Sequence, residues 1–266
     1  MTPFQIVERA LEEDIGSGDV TTSLCVPEDR PASGRFLVRE PLVVAGAELL
    51  PLLYDNIDLK SSDGTRLEAG DEIATVRGAA RNLLTRERVA LNFLQHLSGI
   101  ATQARKYVDA VAGTRCRILD TRKTIPGLRE LEKLAVRAGG ATNHRMGLFD
   151  AILIKNNHIT AAGGVRPALE ATSKASGPVQ IEVRTRAELE EALDFGAKKL
   201  LLDNLSPAQA EEWIRLIGGR ATVELSGGIT LDTVRAYAVT GADFISVGAI
   251  THSARAVDIH FQLELE

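Results

Sequence analysis

The sequence is poor in cysteine, with Cys25 and Cys116 the only two in 266 residues. They stand far apart, without a Cys-x-x-Cys pair or a histidine at ligand spacing, which argues against a disulfide scaffold and a structural zinc site. Two reduced thiols are expected. His96, His158, His252 and His260 show no His-x-x-x-His spacing, so a zinc centre is not expected. Neither a Gly-x-Ser-x-Gly motif nor a Cys/His pair at a suggestive spacing is present, so no covalent nucleophile is visible. Apolar runs stay well short of a membrane span, and the opening MTPFQIVERALEED reads as an acidic helix rather than a signal peptide. A soluble, cytoplasmic protein is expected. Positive charge is in deficit overall, 31 Lys and Arg against 36 Asp and Glu, which disfavours a nucleic-acid or membrane-surface binder. Any anion must be caught locally. Solenoid-type repeats and low-complexity tracts are absent.

What is present is enough for a sizeable core: 44% hydrophobic and 25% charged residues, suiting one large domain or a compact domain with a smaller companion. After the first helix, EDIGSGDVTTSLCVPEDRPASG reads as an extended loop. GRFLVREPLVVAGAELLPLLY and GDEIATVRGAARNLLTRERVALNF then mix short β-branched runs, turn residues and an amphipathic helix, the texture of a small α+β domain. From about Thr114 the pattern changes. The apolar runs CRILDT, AILIK, VQIEV, KLLLDN, ATVELSG and DFISVG alternate with helical segments, which predicts a parallel β/α arrangement of class α/β. ATNHR is a weaker seventh candidate. Arg122 and Lys123, Lys155, Glu182, Asp203, Ser226-Gly227-Gly228 and Gly248 all fall at carboxyl ends of these runs, the face on which β/α barrels assemble their sites. An open doubly wound sheet would gather residues at the same ends. Strand number, and a Gly-Gly pair followed one strand later by Gly248, favour closure.

Charge is distributed unevenly. Between Arg117 and Arg166 nine basic residues face four acidic ones, a net +5, leaving −10 on the other 216 residues. Pro126 suits the first turn of a helix whose apolar stripe is Leu128, Leu131, Leu134, Ala135 and Ala138 and which Gly139-Gly140 ends. Arg129, Lys133 and Arg137 then line its solvated face. Arg122, Lys123, Arg145 and Lys155 instead sit at the ends of apolar runs. Each could pair with Asp120, Asp150, Glu182 or Asp203, but four cations converging on one mouth call for an anion. Guanidinium forks match carboxylates and a lysine point charge suits phosphate, so the mixture fits a ligand with both. Glu182 and Asp203 offer hard oxygens of the kind that bind Mg²⁺ together with phosphates. His144 could donate to a carboxylate or be a satisfied buried histidine. Ser226 to Ile229, SGGI, gives unhindered N–H groups ahead of a helix, a ready phosphate site.

In this order and spacing, DTRKTIPGLR, GGATNHR, LIKNNH, LLDN and SGGI resemble quinolinate phosphoribosyltransferases, and EDIGSGDVTT and TRERVALNFLQHLSGIAT extend the likeness over nearly the whole chain. The resemblance implies an N-terminal α/β sandwich domain, residues 1–112 joined by the tail 255–266, and a barrel of about seven strands over 113–254. It implies a homodimer with shared active sites, or a larger assembly, in which each N-terminal domain closes its partner's barrel mouth. It implies that Arg88 reaches quinolinate across the dimer, that Arg122, His144, Arg145 and Lys155 surround the two quinolinate carboxylates, and that Lys123 faces phosphoribosyl pyrophosphate. Glu182 and Asp203 would hold Mg²⁺, and Ser226, Gly227, Gly228 and Gly248 the ribose phosphate. Lys123, Lys155, Glu182 and Asp203 would be the catalytic set.

Two positions depart from the family pattern. Asn156 stands in Lys155-Asn156-Asn157-His158 where an Asp is usual, removing an anion that could tune Lys155. Gln180 replaces the first Glu of Glu-Val-Glu and leaves Glu182 in place. The chemistry suits the inventory, since pyrophosphate departure leaves positive charge at the anomeric carbon and needs cations on the leaving group and a positioned pyridine nitrogen. Two other readings stand: a pyrophosphorylase of the same fold with another acceptor, and a barrel that only binds a phosphorylated ligand.

Overall fold

In the computed structural model, which describes residues 1–265, the chain opens with helices α1 (Pro3–Ile15) and α2 (Val20–Cys25). Strands β1 (Pro31–Val38), β2 (Leu42–Val43), β3 (Ile57–Leu59), β4 (Arg66–Leu67) and β5 (Glu72–Ala79) lead to the long helix α3 (Ala80–Ala110). Strands and helices then alternate. The next elements are β6 (Arg117–Leu119), α4 (Arg129–Ala138), β7 (Ile152–Ile154), α5 (Asn156–Ala162), α6 (Val165–Thr172), β8 (Val179–Val183) and α7 (Arg186–Phe195). They are followed by β9 (Lys199–Asp203), α8 (Pro207–Ile217), β10 (Thr222–Ser226), α9 (Val234–Ala238), β11 (Phe244–Ser246), α10 (Ala249–His252) and β12 (Ile259–Leu265). The chain divides into two compact units, one of residues 1–105, 123–140 and 250 onward, the other of 106–122 and 141–249. Residues 123–140 group with the first unit.

The first unit is built on an antiparallel sheet of order β12-β1-β5-β3. Period-2 alternation decides which side of β1 is buried: Ala32, Phe36 and Val38 face in, while Ser33, Arg35 and Leu37 are only half-buried. Phe36 meets Phe261 of β12 with ring centroids 4.9 Å apart. The Phe261 ring lies over Gly34, where any added Cβ would overlap it. The segment expected to be an extended loop contains α2, because the Asp19 carboxylate caps it by accepting the Thr22 N–H at 2.9 Å. Its other oxygen accepts from Thr85 of α3.

Helix α4 begins at Arg129, so Pro126 lies in the turn before it rather than in its first turn. Its polar side is not fully solvated either. Lys133 is 1% exposed and Glu132 wholly buried, with Glu132 Oε1 3.0 Å from His96 Nε2 of α3 and accepting the Ile125 N–H. Arg137 does face solvent, and Arg129 donates to Thr124. The helix is clasped on two sides, which a pattern of apolar residues alone does not reveal.

The second unit holds the six expected strands in one parallel sheet of order β6-β11-β10-β9-β8-β7. Ile181, Val183, Leu200, Leu202 and Ile245, which the register places on one face of the sheet, are fully enclosed, as the helix-covered face of a parallel sheet requires. The seventh stave, ATNHR, is reduced to one parallel bridge, Leu119 to Thr142, and among the described residues no ladder joins it to β7. Beyond the bridge the backbone N–H of His144 is spent on the Asp120 carboxylate at 2.7 Å, and the Asn143 side-chain amide donates to the same carboxylate. Gly163, Gly196 and Gly218 end α5, α7 and α8 in left-handed geometry, and capping boxes at Thr185 and Ser206 start α7 and α8. Short, sharply stopped helices return each strand to the same edge.

Candidate active site

That edge carries most of the residues singled out in the sequence. Arg122 follows β6, His144 and Arg145 follow the bridge at Thr142, Lys155 follows β7, Glu182 is next to last in β8, and Asp203 and Ser226 end β9 and β10. Gly248 comes two residues after β11. Asp203 and Ser226 are register partners. All of these belong to the second unit.

On one side of the edge, the fully buried Asp120 takes Asn143 Nδ2 and the His144 N–H, and so fixes the segment that presents His144 and Arg145. Arg145 donates its own N–H to His144 Nδ1 at 2.7 Å. That nitrogen is therefore the acceptor, and Nε2 carries the proton toward Glu224 Oε2 at 3.4 Å. His144 thus donates to a carboxylate of the protein itself while its other ring nitrogen accepts from the backbone. Glu224 also accepts from Gln180 Nε2 at 2.8 Å. Burial would push the Glu224 carboxyl up, but hydrogen bonds from His144, Gln180 and Ser246 outweigh it and hold the group below the usual carboxylate value. Arg145 donates Nη1 to the Ala151 carbonyl. Its pKa is lowered, first by burial and then by the charge of Arg122, with Asp150 opposing. Lys155 is exposed, its N–H donating to His158 Nδ1.

On the other side lie the carboxylates. Asn204 has φ 58°, the one positive value among described non-glycine residues, and in that turn its Nδ2 donates to Asp203 Oδ2 at 2.7 Å. Its backbone N–H donates to the Ser226 carbonyl. Gly227 has to be glycine, since a Cβ there would overlap the Asn204 side chain. Gly227 and Gly228 are both left-handed, φ 100° and 61°. The helix expected directly after SGGI starts only at Val234 and spans five residues, so the Gly-Gly turn offers its N–H groups without a helix end behind them. Arg184, one residue past β8, reaches both carboxylates: Nη2 lies 3.1 Å from Glu182 Oε1 and Nε 3.6 Å from Asp203 Oδ2. Among the described residues no group of three or more His, Cys, Asp or Glu is placed to hold a metal ion.

Comparison with known proteins shows what this arrangement belongs to. The family profile described as quinolinate phosphoribosyl transferase, C-terminal domain, matches residues 100–262, and that of the N-terminal domain matches residues 19–98. The chain belongs to the quinolinate phosphoribosyltransferase family. It is 43% identical to the nicotinate-nucleotide pyrophosphorylase [carboxylating] of Mycobacterium leprae over 97% of this chain and 95% of that one. It is 40% identical to a probable nicotinate-nucleotide pyrophosphorylase [carboxylating] of Bacillus subtilis over 95% and 90% of the two chains. The crystal structure of the nicotinate-nucleotide pyrophosphorylase of Ehrlichia chaffeensis superposes with a TM-score of 0.96 at 34% identity, covering 99% of both chains.

Of the residues matched to the family motifs, Arg88 and Lys123 lie in the first unit. Arg88 is exposed on α3 while Val89, Phe93, Leu94 and Leu97 of that helix are buried, the division that the helical period predicts. The Lys123 carbonyl accepts from Thr251 Oγ1 and its side chain is exposed. Sequence reasoning missed Glu224, Asp120 and Arg184 as parts of the quinolinate phosphoribosyltransferase site. Glu224 carried a signal: an acidic residue between the apolar Val223 and Leu225, two positions before Ser226 and so on the same side of β10. Arg184 carried a weaker one, its place two positions after Glu182 and so on the same side of the extended β8 segment.

Proposed function

We propose that the protein transfers the phosphoribosyl group of phosphoribosyl pyrophosphate to the ring nitrogen of quinolinate, with loss of the adjacent carboxylate, giving nicotinate mononucleotide, pyrophosphate and CO₂. It thereby acts in NAD biosynthesis. Family membership and full-length relatives of that name support the reading. The observation in the site that carries it is the gathering of Arg122, Arg145 and Lys155 at the carboxyl ends of one parallel sheet, a set of cations that a dianionic ligand suits. His144 serves by holding the Arg145 backbone, and Lys155 adds a third cation for the carboxylates. Lys123 stands with the pyrophosphate, and Ser226, Gly227, Gly228 and Gly248 with the ribose phosphate.

Mg²⁺ is the metal the family implies, and the residues fit it. A single cationic group, the Arg184 guanidinium, touches Glu182 and Asp203 together, so one ion can be shared by both, and Asn204 sets the Asp203 carboxylate. Two protein oxygens suit an ion that completes its shell with water and phosphate. When bound, it would neutralise charge on the departing pyrophosphate. The chain's own residues place the pyridine nitrogen against the anomeric carbon and hold the leaving group on the opposite side, so bond breaking and bond formation are in line. In the second step the electrons of the carbon–carboxylate bond pass to the ring carbon beside the pyridinium nitrogen, CO₂ leaves, and a proton from water replaces it.

Two further elements belong to the reading: a homodimer, alone or within a larger assembly, in which Arg88 serves the partner's site, and a cytoplasmic location in which the unpaired Cys25 and Cys116 stay reduced. No described helix is long and apolar enough to cross a membrane. The decisive assay is formation of nicotinate mononucleotide from quinolinate with Mg²⁺. Nicotinate, which lacks the second carboxylate, is expected to turn over at least about a hundredfold less efficiently; comparable kcat/KM for the two would sink the acceptor assignment.

A further inference from the structure

The inward row of β8 and its extension reads Gln180, Glu182, Arg184: an amide, a carboxylate and a guanidinium, two residues apart and therefore on one side of the strand. Gln180 bonds Glu224, and Glu182 and Asp203 take the guanidinium. The side chains of Glu182 and Asp203 are only 9% and 16% exposed, that of Arg184 47%. A largely enclosed carboxylate pair is thus covered by a cation that stands half in water. The backbone beneath it is fixed, because Glu188 Oε2 accepts the N–H groups of both Arg184 and Thr185 at the start of α7. Only the side chain is left to move, and an exposed side chain changes rotamer quickly.

From this arrangement we infer that Arg184 is an internal counter-cation: in the ligand-free protein it holds the Glu182–Asp203 pair and keeps a free divalent ion out. The inference rests on the reading of that pair as the metal ligands. A guanidinium has five donors and no acceptor, so it cannot share the two carboxylates with a dication, and the two positive charges repel. Something must draw Arg184 away. The pyrophosphate of the donor substrate does so, since a phosphate oxygen offers the guanidinium an equivalent anionic partner as the ion takes the carboxylates. The ion therefore enters with the pyrophosphate and does not precede it. Arg184 acts here as a positioning residue, setting the order of binding.

The test is titration of the substrate-free protein with Mn²⁺ alone, following free ion by electron paramagnetic resonance. Arg184→Ser should bind one Mn²⁺ at least about tenfold more tightly than wild type, as expected when a like charge is removed from within a few ångströms of a dication. Arg184→Lys, which keeps the charge, should stay as weak as wild type, and Asp203→Asn placed in the Arg184→Ser chain should abolish the gain. Arg184→Gln serves in place of the serine variant if that one does not fold, judged by its thermal melt. If wild type and Arg184→Ser bind Mn²⁺ equally well, Arg184 is no barrier and the inference falls while the metal reading stands. If neither binds it, the inference falls, and the metal reading falls with it only if added pyrophosphate also fails to bring Mn²⁺ onto the wild-type protein.

Discussion

At the scale of single residues, the most consequential side chain is one the chemistry never touches. Glu224 is 4% exposed and hydrogen-bonded, and everything that keeps it ionised comes from its neighbours. Its folded pKa lies below the ordinary value of 4.5, so its contribution to stability is full above that value and is lost as pH falls through the lower folded one. Glu224→Gln should then be less stable than wild type at neutral pH by about 1–3 kcal/mol, with the gap closing as pH drops below about 4. Denaturant unfolding at both pH values measures this, and an unchanged gap would show that the carboxylate charge is not what His144 and Gln180 stabilise. The residues gathered along the edge of the parallel sheet were legible in the sequence because strand ends are legible. Glu224 and Arg184 were not, because each acquires meaning only from another strand: Gln180, two strands away, for one, and Asp203, on the next strand, for the other.

Among the elements, the pairing of β1 with β12 shows what periodicity can and cannot convey. Alternation in GRFLV marks a strand with one buried side, but nothing local says that its partner is a segment more than two hundred residues away. Gly34 records that partner. Its missing side chain is the space in which the Phe261 ring lies, across the pair and one diagonal from Leu263. Gly34→Ala should destabilise the protein by roughly 1–3 kcal/mol, because the ring must leave its place. Phe261→Ala should also cost stability, yet added to Phe261→Ala the glycine substitution should cost much less, an interaction of about 1 kcal/mol or more in a double-mutant cycle. Additive losses would mean that the ring and the glycine are independent. The six parallel strands were readable for the opposite reason, each being a short, nearly continuous apolar run between a helix stop and a helix cap. The seventh was not, because Asn143 and His144 turn from the ladder to Asp120.

For the molecule as a whole, Arg88 is the residue that tests the proposed dimer. It stands exposed on a helix whose other side is buried, and a solvated arginine would look the same. The family reading sends it to the partner's site, where loss of a guanidinium–carboxylate pair should lower kcat/KM by roughly two orders of magnitude in Arg88→Ala. Mixing Arg88→Ala with the inactive Asp203→Ala chain and allowing exchange should restore about half of the wild-type activity per heterodimer, since one of the two sites then draws both residues from intact chains. No recovery, with exchange confirmed by mass spectrometry, would confine Arg88 to its own chain. The place of β12 also governs how the protein is made. On the ribosome β1 emerges early and β12 after every strand of the parallel sheet, so the outer edge of β1 stays without its ladder through most of translation. The first unit to be synthesised is thus the last to be completed, and the interval between them is the stretch of synthesis in which a nascent chain most needs shielding from its neighbours.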